Sequence, residues 1–189
     1  MERDIFLQRK KEVLSKIDKS NKKDWDKPIL NLCNKINSNN NYYTTSSCSG
    51  RILIMVDQEK KAPELFRFAS HDLIENIGGF IRVIEHIKGK DSLKFKLEPC
   101  ILHVACKNLI SARELYDLAQ KTGWKRSGLI SFDKRFILEL SGTDKLEFPL
   151  TNRGKTLVDG SFLKFIVDKS NNKLKKSWEK IKKLENCLE

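Results

Sequence analysis

The sequence predicts an α+β fold: a mixed sheet carrying helices, closed by a long C-terminal helix. Three observations lead there. Apolar residues recur at helical spacing near both ends, at Ile29, Leu32, Cys33 and Ile36 and again at Leu163, Ile166, Val167, Leu174, Trp178, Ile181 and Leu188. Short apolar runs fill the middle as two strand-rich blocks, each paired with a helix, which suggests a loose internal duplication. No GxGxxG follows a strand to open a helix, so the Rossmann layout has no anchor here.

Taken in order, Asp4 caps a first helix in which Phe6, Val13, Leu14 and Ile17 share a face, and the polar segment Asp18–Lys23 ends it. Asp26 caps a second helix. Pro28 sits in its first turn, where a missing N–H breaks no helical bond. Asn37-Ser38-Asn39-Asn40-Asn41 closes that helix as a turn. Arg51–Val56 and Leu65–Ser70 read as strands. A helix then runs to about Lys88 with Ile77, Ile81, Ile84 and Ile87 on one face, and Gly78-Gly79 weaken its first turn. Leu93, Phe95 and Leu97 alternate as in a half-buried strand, Glu98-Pro99 breaks it, and Cys100–Cys106 resumes as another.

Asn108 or Ser111 caps the best-specified helix. Leu109, Ala112, Leu115, Leu118 and Ala119 form its stripe, and Gly123 stops it. Strands follow near Lys125–Phe132 and Arg135–Ser141, joined at Asp133-Lys134, with a short one at Leu146–Phe148. The whole reads as one domain over 1–189. Helices occupy 1–40, the sheet core 42–150 and a basic helix 160–189.

Of the 189 residues, 39% are hydrophobic, enough for a real core, and 33% are charged with a formal net charge of +12. Such a surplus attracts polyanions, because each Lys or Arg set on a phosphate releases a condensed counterion. Nucleic acid is the first candidate and an anionic membrane surface the second. Lys164, Lys169, Lys173, Lys175, Lys176, Lys180, Lys182 and Lys183 share the polar face of the last helix. They would carry phosphates, although a solvated face also serves solubility. No run approaches the roughly 20 apolar residues of a membrane span, and the N-terminus lacks a secretory signal core. Five cysteines without a CxxC pair fit reduced thiols and a cytoplasmic address. No metal is expected. Cys100 and Cys106 would share a strand face from which His103 points away.

The octet Thr44-Thr45-Ser46-Ser47-Cys48-Ser49-Gly50-Arg51 packs hydroxyls, a thiol, a glycine and a guanidinium between a polar loop and a strand. Gly50 permits a left-handed backbone, and Arg51 presents a fork for phosphate or carboxylate. On pattern alone a Ser/Thr-rich turn capping a strand explains it better. Cys48 as a nucleophile would require a base that the sequence does not place.

Tyr43-Thr44-Thr45-Ser46-Ser47-Cys48-Ser49-Gly50-Arg51-Ile52 resembles the signature of the tRNA wybutosine-synthesizing methyltransferase family, the step-three enzymes of that pathway. Further pieces follow in the family's order: Ser70-His71, then Lys94-Phe95 through Glu98-Pro99 and Leu102-His103-Val104. Ser127-Gly128 and Phe148-Pro149-Leu150 complete the series. The matches run from about Leu30 to the last helix. The octet is specific, whereas the other pieces are short and persuade by their order. Phe66-Arg67-Phe68 stands where the family often has Trp, Asp72 where a basic residue is common, and Leu97 is an apparent insertion.

The resemblance implies methyl transfer from S-adenosylmethionine to the tricyclic guanosine derivative at position 37, beside the anticodon of phenylalanine tRNA. It implies His103 and His71 as catalytic candidates, because an imidazole side chain can hold or accept a proton near neutral pH. Thr45, Ser46, Ser47, Cys48, Ser49, Gly50, Arg51, Glu98, Ser127 and Gly128 become candidates for binding donor or substrate. Arg51 would take the donor's carboxylate or an RNA phosphate, and Glu98 its amino group or ribose. Tyr42 and Tyr43 would stack on a base or pack in the core, and His86 is read as structural. Two rival readings remain open: a non-catalytic RNA-binding module, and a basic interaction protein using the last helix.

Overall fold

A computed structural model of the chain describes residues 4–15, 26–58, 65–86, 91–133 and 135–188, with the side chains of 83, 85 and 86 left aside. Expectations placed on Ile17, Asp18–Lys23, Ile87, Lys88, Lys134 and the His86 side chain lie outside this description. In chain order the elements are α1 (Ile5–Leu14), α2 (Lys27–Ser38), β1 (Tyr42–Cys48), β2 (Arg51–Val56), β3 (Phe66–Ser70), α3 (Ile77–His86), β4 (Leu93–Glu98), β5 (Ile101–Cys106), α4 (Leu109–Lys121), β6 (Gly128–Ser131), β7 (Phe136–Ser141), β8 (Leu146–Asn152), β9 (Lys155–Thr156) and α5 (Gly160–Cys187).

The class is α+β as expected, but the sheet is not mixed. Two sheets form, with strand orders β1-β5-β7-β6 and β3-β2-β4-β8-β9, and every described pairing is antiparallel. Short connections such as Arg153-Gly154, which joins β8 to β9, leave no room for the crossovers that parallel pairing requires. The chain falls into two compact units: 1–49, 100–143 and 177–189 form the first, and 50–99 with 144–176 the second. Numbered within its own unit and without β9, the first sheet runs 1-2-4-3 and the second 2-1-3-4, so they are not a tandem repeat.

In the first unit one face of the sheet is apolar. Leu102 and Val104 of β5 and Leu138 and Leu140 of β7 are buried there. They pack with Ile29, Leu32, Cys33 and Ile36 of α2, with Ala112, Leu115 and Ala119 of α4, and with Ile181 and Leu184 of α5. Trp124 is fully buried at this core and its indole N–H donates to the Lys180 carbonyl at 3.2 Å. Asn108, not Ser111, caps α4: its side chain accepts from the Ser111 N–H at 2.9 Å. Asp26 stands at the N-cap of α2 and its carbonyl accepts from the Ile29 N–H at 3.0 Å, but its side chain makes no cap bond because the carboxylate is used elsewhere.

The second unit is organised around aromatic rings. Phe68 meets Phe80 at 5.1 Å, Phe80 meets Phe95 at 6.5 Å, Phe95 stacks on Phe148 at 5.0 Å, and Phe148 meets Phe162 at 5.3 Å. Each such pair adds about 0.5–1.5 kcal/mol beyond buried area. Asn171 of α5 brackets Ile74, accepting from its N–H and donating to its carbonyl, both at 3.0 Å. The glycine pair at the start of α3 is stabilised by Asn76, whose Oδ1 accepts from the Gly79 N–H at 2.8 Å. A Cβ on Gly79 would lie 2.7 Å from the Asn76 amide, so a side chain there would displace this cap.

Candidate active site

The octet resolves into two sets of side chains because β1 carries a bulge. The register with β5 shifts between Thr44 and Ser46, which makes Thr45 the extra residue. One set ties β1 to α2. The Thr44 N–H donates to Asn37 Oδ1 at 2.8 Å, and Ser47 hydrogen-bonds the Cys33 thiol. Burial pushes that thiol up to about 12, and the nearby Asp26 charge reinforces the effect. Ser49 donates its N–H and its hydroxyl to Asp26 at 2.9 and 3.1 Å. Ser47 and Ser49 are therefore anchors of the strand.

The other set faces the opposite side. Ser46 is the Cα partner of His103, His103 of Glu139, and Glu139 of Gly128, so a single row crosses all four strands of the first sheet. Residues directly opposite one another in an antiparallel sheet share a face. Ser46 Oγ lies 2.8 Å from His103 Nδ1, and His103 Nε2 lies 2.8 Å from Glu139 Oε2. A carboxylate only accepts, so Nε2 carries a proton, and in the neutral imidazole Nδ1 is then free to accept from the Ser46 hydroxyl. The bulged Thr45 donates to the His103 carbonyl at 3.3 Å. A Cβ placed on Gly128 would meet nothing within 4 Å, which leaves open space at the end of the row.

Glu139 was not singled out in the sequence. Its only signal there is an acid interrupting the apolar run Phe136-Ile137-Leu138-Glu139-Leu140, and it gains meaning once β7 is known to lie beside β5. Ser127 takes a turn role: its hydroxyl donates to the Trp124 carbonyl at 2.7 Å and accepts from the Ser141 N–H at 3.4 Å. Cys48 ends β1, half-buried, opposite Ile101. Tyr42 and Tyr43 do not present rings for stacking. The Tyr42 hydroxyl donates to the Ser111 carbonyl at 3.0 Å, and Tyr43, only 1% exposed, packs against Phe6 at 5.2 Å.

The second unit contains the remaining candidates. Gly50 has φ 101°, the left-handed backbone expected of it. Arg51 and Glu98 are register partners on β2 and β4, and Arg51 Nε lies 2.7 Å from Glu98 Oε2. Lys96 Nζ holds Oε1 of the same carboxylate at 2.8 Å, and the guanidinium sits 5.5 Å over the Phe66 ring. Burial pulls the Glu98 carboxyl upward, but hydrogen bonds from Lys96 and Arg51 outweigh it and hold the group below the ordinary carboxylate range. His71 follows β3 and is half-buried in this unit. Ser46, His103 and Gly128 are thus brought together in one unit, and Arg51 with Glu98 in the other.

A hydroxyl–imidazole–carboxylate row on an antiparallel sheet, in a strongly basic chain without a glycine-rich strand–helix turn, defines a class outside the doubly wound transferases. A solved structure described as PH1069 protein from Pyrococcus horikoshii shares this architecture, with a TM-score of 0.87 and 32% identity over 97% of this chain and 95% of that one. The family model Methyltransferase TYW3 matches residues 8–189, and the chain belongs to that family of tRNA methyltransferases. A relative from Methanocaldococcus jannaschii, 36% identical over 97% of both chains, is named tRNA(Phe) 7-((3-amino-3-carboxypropyl)-4-demethylwyosine(37)-N(4))-methyltransferase. The Danio rerio tRNA wybutosine-synthesizing protein 3 homolog is 34% identical over all of this chain and 76% of its own length. No helix among the described residues is long and apolar enough to cross a membrane.

Proposed function

We propose that residues 1–189 act as one cytoplasmic methyltransferase domain that moves a methyl group from S-adenosylmethionine to N4 of 7-(3-amino-3-carboxypropyl)-4-demethylwyosine, at position 37 of phenylalanine tRNA. The observation that carries the reading is the row Ser46–His103–Glu139. The donor's sulfonium supplies an electrophilic methyl group with a neutral thioether as leaving group. The acceptor N4 of a 4-demethyl base still bears a hydrogen, which must leave as the N–C bond forms and the S–C bond breaks.

Ser46 Oγ accepts that hydrogen and passes its own proton to His103 Nδ1, while Glu139 stabilises the resulting imidazolium. A positioned base of this kind contributes about 10²–10⁴-fold. Alignment of donor and acceptor supplies a further share, roughly 7–11 kcal/mol where geometry is near attack. The Arg51–Glu98–Lys96 cluster suits the donor's amino-acid end, a carboxylate beside an ammonium, with Arg51 binding the first and Glu98 the second.

The experiment is methylation of tRNA(Phe) carrying each plausible pathway intermediate, with mass readout of the nucleoside at position 37 and calorimetry of donor binding. Gain of one methyl by the 4-demethyl nucleoside is expected. A folded protein that binds neither S-adenosylmethionine nor its demethylated product, and leaves position 37 unchanged, would instead be a non-catalytic RNA-binding module.

A further inference from the structure

The first unit contains a cavity on the His103 side of its sheet that the proposed reaction does not use. Ala105 follows His103 by two residues on β5, so both point from the same side. Next to Ala105, α1 packs against β1 and leaves a cavity of about 210 Å³. Phe6, Arg9, Tyr43, Lys107, Arg135 and Phe136 are among the residues lining it.

Its chemistry is one-sided. Arg9, Lys107 and Arg135 are all cationic, and no carboxylate lines the space among the described residues. Asp4 stands beside it, with Oδ2 2.8 Å from Lys107 Nζ and Oδ1 accepting from the Phe6 N–H at 3.1 Å. Tyr43 hydrogen-bonds Arg135 through its hydroxyl, and the Arg9 charge lies close to the same group. Arginine forks match the paired oxygens of a phosphate, and aromatic walls accept a base or a ribose. The volume is below the roughly 300–1,000 Å³ of pockets that enclose a drug-sized ligand. It therefore takes part of one nucleotide rather than a whole methyl donor. Two residues along a strand separate Ala105 from His103 by about 6.8 Å, a reach that a neighbouring nucleotide spans.

We propose that this cavity is a subsite for an RNA nucleotide flanking the target base, with Arg9 and Arg135 on its phosphate and Phe6 along its base or ribose. The proposal rests on the reading that the chain acts on tRNA, so it is tested by binding, separately from methyl transfer. The probe is anticodon stem-loop RNA of tRNA(Phe), titrated over a salt series with the full chain.

The variant Arg9→Gln/Arg135→Gln is compared with Lys11→Gln/Lys121→Gln, which removes two charges from exposed helix positions elsewhere. Both arginines are exposed, so the fold should survive, as circular dichroism will record. The arginine variant should bind RNA about tenfold more weakly than the lysine control. Its log–log salt slope should fall by about 0.7 for each phosphate that is no longer neutralised. Arg9→Lys/Arg135→Lys should restore part of the affinity, and S-adenosylmethionine binding should not change. Equal losses in the arginine and lysine variants would overturn the subsite, as would weakened donor binding with RNA affinity intact. RNA binding abolished by arginine substitution, in a chain that leaves position 37 unmethylated, would keep the subsite and remove the proposed reaction.

Discussion

Thr45 is the extra residue of β1, and it divides a run of hydroxyls between two faces of the sheet. Ser47 and Ser49 fasten the strand to α2, and Ser46 is left opposite His103. If Ser46 and His103 move a proton, Glu139→Gln should lower the methylation rate by about 10²–10³-fold in single-turnover assays without changing donor affinity. An unchanged rate would reduce the row to a structural network. Arg51→Ala should sharply reduce methylation and donor binding while circular dichroism stays native, and full retained activity would remove Arg51 from the site. Glu98 also sets a pH dependence. Its folded pKa lies below the unfolded value of about 4.3, so the carboxylate's contribution to stability is complete above that value and is lost as pH falls through the lowered one. Urea unfolding of Glu98→Gln should therefore show a flatter acid limb than the parent chain.

Elements hold these residues in place through ordinary packing. Strand β5 runs down the centre of the first sheet with Leu102 and Val104 on one face and His103 on the other, so the core that fixes its position also fixes the imidazole. Strand β7 does the same for Glu139 through Leu138 and Leu140. Trp124 closes the end of α4, with its ring fully buried and its N–H on α5. Trp124→Ala should cost about 3–5 kcal/mol in chemical denaturation, since it removes a large ring and leaves the Lys180 carbonyl without that donor. A loss under about 1 kcal/mol would mean that the surrounding helices collapse into the space.

Across the whole molecule the dominant quantity is charge, +12 over 189 residues. Much of it is on α5, where Lys164, Lys169, Lys175 and Lys176 are exposed. Others on that helix have local partners: Lys173 Nζ lies 3.5 Å from Asp144, and Lys182 Nζ 2.6 Å from Glu185. Replacing Lys164, Lys169, Lys175 and Lys176 with glutamine should reduce the salt dependence of tRNA binding by up to about 0.9 in log–log slope for each phosphate they neutralise. An unchanged slope would move the RNA path off this helix.

The local pattern of the sequence was sufficient for most elements but not for β1: Tyr42–Cys48, whose hydroxyl-rich run reads as a polar loop or turn before a strand, is itself a strand because β5 supplies its hydrogen-bonding partner. Helical spacing placed α2, α4 and α5, alternation placed β4, and the octet with its ordered companions indicated the family, because each of these is written within a few neighbouring residues. Two boundaries shifted for local reasons: β6 begins only at Gly128, after a turn closed by Ser127, and β8 continues through Pro149 at a register shift. Tertiary structure alone decided which strands are neighbours. Period-two alternation says which residues share a side of one strand, but a slip of one residue between strands would turn Ser46 away from His103. The two separate antiparallel sheets, the pairing of Glu139 with His103 and the burial of Tyr42 and Tyr43 all depend on contacts between residues far apart in the chain. No window of sequence contains both partners of such a contact.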